Sequence, residues 1–259
     1  EIARAFLVRE SAMARRITRA KTKVELARIP FRVPSAEDLP ARVSGVLAVL
    51  YLVYNEGYLP SGTGLDPLRE DLTDEAIRLT RLTRELLPGD GEVTGLLALL
   101  LLTEARRDAR LSGGELVTID EQDRAAWDEA LIAEGHALVR ERLASGVAPG
   151  RYQLLAAVGA VHTSASDIHS TDWSQIVALY DQLLRLDPSP VVALNRAVAI
   201  AELDGADVGL AQVERLGDRL ADYQPFHATR ADLLRRLRRN EEARAAYDRA
   251  IELSGNSAE

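Results

Sequence analysis

The amino-acid sequence predicts an all-α protein, and three observations support that fold class. Apolar residues recur at intervals of three and four along most of the chain, which is the spacing of a helix with one buried face. Proline and glycine are concentrated in short stretches between these segments, where they interrupt helices. Only residues 115–119 have a locally extended pattern, and so short a segment does not make a sheet.

Residues 1–24 have the pattern of a helix-turn-helix. Ala3 is the small residue that such a motif needs in its first helix, and Met13 is the apolar residue ten positions later. We expect Ser11 to cap the second helix, and the basic side chains after it to contact phosphates and base edges. The alternative is a basic surface helix. The predicted DNA-binding residues are Ser11, Arg15, Arg16, Arg19, Lys21 and Lys23.

The central part of the chain contains four predicted helices, at residues 39–54, 68–87, 93–109 and 125–143. Stretches rich in proline or glycine separate them, at residues 30–40, 60–67, 88–91, 113–114 and 149–150. The longest apolar run, residues 93–103, is about half the length of a membrane-spanning helix. We therefore expect no membrane partner.

The last third of the chain carries a repeat of the tetratricopeptide (TPR) type. Ala197 and Ala231 lie 34 residues apart, and each occupies the position where a TPR unit needs a small residue. Ala243, Tyr247 and Ala250 follow Ala231 at the TPR offsets, whereas Gly209, Val213 and Leu216 give a weaker match in the preceding unit. The pattern predicts TPR-like repeats with a protein or peptide partner, and a generic array of helical hairpins is the alternative.

The charge distribution divides the chain into a basic start and an acidic remainder. The net charge is −8, from 32 basic and 40 acidic residues. Residues 1–34 hold nine basic and three acidic residues, a charge of +6, so the remainder carries −14. This asymmetry indicates that only the first segment meets nucleic acid. Cysteine is absent, which excludes disulfides, thiolate metal sites and cysteine nucleophiles.

The first segment resembles the DNA-binding end of region 4 of bacterial sigma factors. The phrase "RITRAK" at residues 16–21 matches the "R-L-x-R-A-R/K" pattern of that region. The phrases "VLAVLYLVYNEGY", "GLLALLLLTEARR" and "EQDRAAWDEALIAEG" then follow as in one subgroup of extracytoplasmic-function (ECF) sigma factors, which carries a C-terminal TPR-like extension. Leu7 departs from the pattern, because it stands at a turn position that usually holds glycine.

These observations predict four parts of the chain. They are the C-terminal half of a sigma region 4 helix-turn-helix at 1–29, a proline-bounded linker at 30–40, a helical extension at 41–170 and TPR-like repeats at 171–259. A short, stiff linker forces its neighbours together. We therefore expect Ile29, Phe31 and Val33 to pack against the helix at 39–54.

Three polar residues at the end of that helix, Tyr54, Asn55 and Glu56, need partners if they are buried. One interpretation is a ligand pocket, and the other is a hydrogen-bonded helix end closed by Gly57. The acidic residues near Trp127 are interpreted as helix-start residues, with Asp120 as the cap and Arg124 paired locally. The four histidines are scattered, so we expect no metal site.

The resemblance implies the C-terminal part of an ECF sigma factor, with promoter DNA and the RNA polymerase core as partners. The helix-turn-helix would recognise the promoter, and the extension would regulate transcription initiation. The alternative is a stand-alone TPR-like interaction scaffold without DNA binding. An enzyme with a pocket around Glu56 is a third hypothesis, but the sequence has no HExxH, GxSxG or phosphate-binding loop. We expect no enzymatic activity, no cofactor and a cytoplasmic location.

Overall fold

The computed structural model describes residues 2–5, 8–28, 35, 37–60, 68–112 and 115–254. Within these ranges the chain is all-α apart from one short β-hairpin. The helices are α1 Ile2–Ala5, α2 Glu10–Leu26, α3 Leu39–Tyr58, α4 Glu70–Leu86, α5 Gly91–Glu104, α6 Glu129–Ala144, α7 Arg151–Ser164, α8 Trp173–Leu186, α9 Pro190–Asp204, α10 Ala206–Glu214, α11 Gly217–Leu220, α12 Gln224–Arg236 and α13 Asn240–Leu253.

The four predicted central helices are confirmed as α3 to α6, but their predicted ends are wrong in places. α5 stops at Glu104, and a separate 3-10 turn covers Arg107–Ala109. α6 begins at Glu129, because the carboxylate of Asp128 accepts hydrogen bonds from the backbone N–H groups of Ala130 and Leu131 in the first turn. The cap predicted at Asp120 is therefore wrong.

A β-hairpin follows the 3-10 turn. Leu111–Ser112 pairs antiparallel with Glu115–Leu116. The extended pattern predicted at residues 115–119 is thus confirmed for its first two residues.

α5 is the centre of the N-terminal half of the fold. Val93, Leu96 and Leu100 are completely buried, and the helix packs against α3, α4, α6 and α7. A helix that is apolar on every side is stable only when it is surrounded in this way. The carboxylate of Glu92 also accepts backbone hydrogen bonds from Tyr152 and Gln153, at 3.1 and 3.3 Å, which joins the start of α5 to the start of α7.

The C-terminal helices form two successive pairs, α9 with α10 and α12 with α13. Ala197 and Ala231 are buried, as their 34-residue spacing predicts. Gly209 allows the first pair to approach closely, since a Cβ there would lie 2.3 Å from the Cβ of Ala201. Tyr247 is 37% exposed, because no described helix packs against the outer side of α13. It still contacts α12, because its side chain is hydrogen-bonded to that of Arg235.

Several expectations fall outside the residues that the structure describes. They concern the turn at Leu7 and the packing of Ile29, Phe31 and Val33. α3 begins at Leu39, inside the segment predicted as linker. Among the described helices, none is both long enough and apolar enough to cross a bilayer.

Candidate functional site

α2 holds all six predicted DNA-binding residues. The helix begins at Glu10, and Arg9 precedes it in an extended conformation without a side-chain cap. Ser11 lies within the first turn and is exposed. The predicted cap at Ser11 is therefore wrong, because the helix starts two residues too early for it.

α1 packs against α2 through the two residues that the helix-turn-helix pattern selected. Ala3 is 6% exposed and Met13 is 8% exposed. The backbone N–H of Val8 donates to the carbonyl of Ala3 at 3.0 Å, which brings the residues before α2 close to α1. The contact fixes one side of α2 and leaves the opposite side in solvent.

The predicted cations of α2 are all exposed, but they do not all share one side of the helix. Arg15, Arg19 and Lys23 repeat at intervals of four along α2, and Arg16 lies beside them, so these four form one row. Lys21 is separated from this row by more than a quarter turn. It borders a shallow groove on the apolar side with Ile17, Ala20, Val24 and Glu25.

The residues that the structure describes do not neutralise the charges of this row by ion pairs. None of the five cations forms an ion pair with a described residue, and the Nε of Arg19 donates only to the carbonyl of Arg15 at 3.3 Å. Several arginines outside α2 do form ion pairs, such as Arg78 with Glu75 and Arg84 with Glu141. The basic row (Arg15, Arg16, Arg19 and Lys23) is therefore available to an anionic partner.

The three residues of the predicted ligand pocket, Tyr54, Asn55 and Glu56, lie in different environments. Tyr54 is buried, and its hydroxyl donates to the carboxylate of Glu104 at 2.8 Å. Asn55 and Glu56 are half-buried, and their side chains leave α3 in directions rotated by about 100° and 200° from that of Tyr54. Burial, followed by the charge of Glu104, raises the pKa of Tyr54 well above its usual value. The three residues therefore do not converge on one pocket.

Gly57 does not close α3, which continues to Tyr58. A Cβ at Gly57 would lie 2.8 Å from the carbonyl oxygen of Arg69 and from the backbone nitrogen of Thr73. Glycine is thus needed for the start of α4 to approach α3. The cavity beside it has a volume of about 10 Å³, which is the space of about one water molecule.

A polar cluster that the sequence analysis did not identify lies around Trp127. Arg124, expected to pair locally, instead donates to the backbone carbonyls of His162 and Ala165, both at 2.7 Å. His162 lies in the last turn of α7, and His169 lies beyond its end. The contact of Arg124 with these two carbonyls joins residues about 40 apart in sequence, so no local pattern indicates it.

In the described part of the chain, no group of acidic or histidine side chains is suited to a metal ion.

The chain is similar to one sequence family and to one curated protein. Residues 42–143, which include most of α3, all of α4 and α5 and all but the last residue of α6, match the model of a family of unknown function, DUF6596. The chain is 47% identical over 260 residues to an uncharacterized protein of Rhizobium meliloti (strain 1021). That alignment covers all of this chain and 61% of the relative, so the chain spans less than two thirds of the length of the curated protein it matches.

Proposed function

We propose that this chain is the C-terminal part of an ECF-type sigma factor. In this function α1 and α2 recognise promoter DNA, and the helices from α3 onwards regulate transcription initiation. The observation that carries the proposal is the basic row of α2, which is exposed and lacks ion-pair partners among the described residues. The similarity of residues 1–24 to sigma region 4 supports the same conclusion.

The dimensions of the basic row suit a DNA backbone. Arg15 and Lys23 are eight residues apart on α2, which corresponds to about 12 Å along the helix axis. A helix fits the major groove of DNA, and its basic side chains reach the phosphates on either side. Lys21 lies off the row, so we expect it to contribute less than the other four cations.

Salt dependence tests the DNA-binding part of the proposal. Four phosphate contacts should release counterions such that affinity for duplex DNA falls about 100-fold between 50 and 200 mM salt. Replacing Arg19 with Ala should weaken binding and make this dependence about one unit shallower in a logarithmic plot. The matched control is Lys21→Ala, which should leave the salt dependence close to that of the parent. Equal effects of the two variants would contradict the assigned row.

Transcription tests the proposal in the intact factor. Changing Arg15, Arg16 and Arg19 together to Ala should abolish promoter recognition while binding to the RNA polymerase core is retained. A triple variant that transcribes like the parent in a purified system would exclude α2 as the promoter-reading helix. The location implied by this function is cytoplasmic, and the role is not enzymatic.

Regulation by the extension can be tested separately. Most of the acidic residues lie outside the basic start, and the remainder of the chain has a charge of −14. Deleting residues 171–259 should change the level of transcription without changing the promoter that is recognised. If the shortened factor has the same activity as the intact one across salt concentrations, the C-terminal helices have no regulatory role.

The alternative function is a TPR-like scaffold that binds a protein or peptide and no DNA. The observation favouring it is the stacking of the two C-terminal helix pairs, in which α10 also packs against α12. Such arrays commonly present a concave binding surface. A chain that binds no duplex DNA at 50 mM salt, but retains a protein partner that requires residues 171–254, would favour the scaffold.

A further inference from the structure

One side of α3 faces the solvent and is almost without charge. Between Asp38 and Glu56 the chain has a single charged side chain, that of Arg42. Val49 is 59% exposed and Val46 is 48% exposed, although a helix usually presents polar side chains to water. We call this side the α3 outer face, and it consists of the exposed residues Ala41, Gly45, Ala48 and Val49 and the half-buried Leu52.

The α3 outer face lies opposite the side of the helix that packs in the fold. The buried residues of α3, which contribute to the core with α4 and α5, are Val43, Leu47, Leu50, Tyr54 and Gly57. At 100° per residue, Gly45 and Leu52 project about 160° to 180° away from the middle of that set. A Cβ at Gly45 would meet no atom within 4 Å. The α3 outer face is therefore open to a second protein surface.

The shape of the α3 outer face is complementary to itself when two copies of α3 run antiparallel. A two-fold axis between residues 48 and 49 places Gly45 of one copy opposite Leu52 of the other, since both lie 3.5 positions from the axis. Ala48 then lies opposite Val49. Each large side chain meets a small one, which is the arrangement that allows two helices to interdigitate at short distance.

The charges at the two ends of α3 suit the same pairing. Arg42 is exposed in the first turn of α3, and Glu56 lies in the last turn. An antiparallel pair brings Arg42 of one copy beside Glu56 of the other, at both ends of the interface. A parallel pair would instead bring like charges together. Such charge pairs select orientation more than they add affinity, so they favour the antiparallel arrangement.

We propose that the chain forms a homodimer in which two α3 outer faces pack antiparallel. From Ala41 to Leu52 the face is about 17 Å long, which is short for a permanent interface. The dimer is therefore weak, and its population depends on protein concentration. It goes beyond the proposed function and does not depend on DNA binding.

Analytical ultracentrifugation of the purified chain tests the proposal. The mean mass should rise from that of one chain towards that of two as the concentration increases from about 5 to 500 µM. Val49→Asp places two like charges beside the two-fold axis and should keep the chain monomeric. The matched control is Val147→Asp, the same change at a residue that is 64% exposed and lies outside the helices, and it should dimerise like the parent.

Two outcomes of this experiment would overturn the proposal. One is a parent chain that stays monomeric at every concentration. The other is a Val49→Asp variant that dimerises like the parent. Circular dichroism checks that each variant is folded, and the substituted side chains are exposed, so we expect no loss of helix.

Cysteine cross-linking tests the register, because the chain has no cysteine of its own. In the antiparallel pair, position 45 of one copy faces position 52 of the other. A mixture of the Gly45→Cys and Leu52→Cys variants should therefore form a disulfide-linked dimer under mild oxidation. Each variant alone should link much less, because its two sulfurs lie about 10 Å apart along the helix axis. The reverse result would indicate a parallel pair and contradict the proposed geometry.

Other occupants of the α3 outer face give different results. If residues 29–33 of the same chain covered the face, the cysteine variants would stay monomeric alone and in the mixture, and the proposal would be wrong. Ala245→Cys, on the exposed side of α13, controls for random collision, and linking as strong as that of the mixture would also overturn the proposal. An Arg19→Ala variant should dimerise like the parent, which separates this surface from the basic row of α2.

Discussion

The hydroxyl of Tyr54 donates a 2.8 Å hydrogen bond to the carboxylate of Glu104, which lies 50 residues away in sequence. Both side chains are buried. The same carboxylate accepts a hydrogen bond from Thr73 and forms an ion pair with Arg107. The buried carboxylate of Glu104 therefore connects α3 and α4 to the end of α5.

Replacing Tyr54 with Phe should destabilise the fold. The change keeps the ring and removes one partner of a buried carboxylate, which costs about 1–3 kcal/mol. Urea or thermal unfolding measures the loss. Tyr51→Phe is the control, because that half-buried ring makes an edge contact with Tyr152 and does not bond to Glu104. Equal stability of the Tyr54 variant and the parent would show that the bond contributes nothing.

Replacing Ala231 with Phe should force the C-terminal helix pairs apart. Ala231 is completely buried in the core shared by α9, α10, α12 and α13, and overfilling such a position costs about 1–3 kcal/mol or more. Ala245→Phe places the same ring on the exposed side of α13 and should have little effect. If both variants melt alike, Ala231 is not at a helix contact.

Replacing Arg238 with Gly should stabilise the protein. Arg238 has a φ of +61°, a left-handed conformation that glycine adopts at lower cost. At the end of α12 the backbone N–H of Arg238 donates to the carbonyl of Arg235, and the backbone N–H of Arg239 donates to the carbonyl of Leu234. Helices that end with this pair of bonds prefer glycine at the position of Arg238. We expect a gain of about 0.5–1 kcal/mol. Arg244→Gly, in the interior of α13, should instead cost about 1 kcal/mol, and a loss at both positions would refute the argument.

Acid should destabilise the protein through His162. Burial and the nearby arginines lower the pKa of His162 from 6.5 to about 4. Between these values the unfolded chain binds a proton that the folded chain does not, so the free energy of unfolding falls as pH decreases. His162→Phe keeps a ring against Trp173 and removes this titration. From pH 7 to 4.5 the variant should lose about 2 kcal/mol less than the parent, and parallel stability curves would contradict this.

The helical architecture could be predicted because it is encoded locally. The apolar spacing of α5 and the 34-residue interval between Ala197 and Ala231 each reflect packing that repeats along the chain. Helix ends were less predictable, because several acidic residues near Trp127 could serve as the cap. Only the backbone path shows that Asp128, and not Asp120, accepts the free N–H groups of α6.

The candidate sites differ in how far the sequence reveals them. The basic row is local to α2, so its cations could be named, and the helix geometry then separates Lys21 from the others. The bond between Tyr54 and Glu104 and the contact of Arg124 with His162 join distant segments. Charge and spacing along the chain carry no signal for such contacts.

The enclosure of α5 has a consequence for synthesis on the ribosome. Its start is held by hydrogen bonds that the first turn of α7 donates to the carboxylate of Glu92, across about 60 residues of sequence. At translation rates of about 5–20 residues per second, the most apolar helix waits about 3–12 s for the segment that covers it. During that interval the nascent chain exposes the leucine-rich surface of α5 to the cell, so we expect a chaperone to protect this helix until α7 has been made.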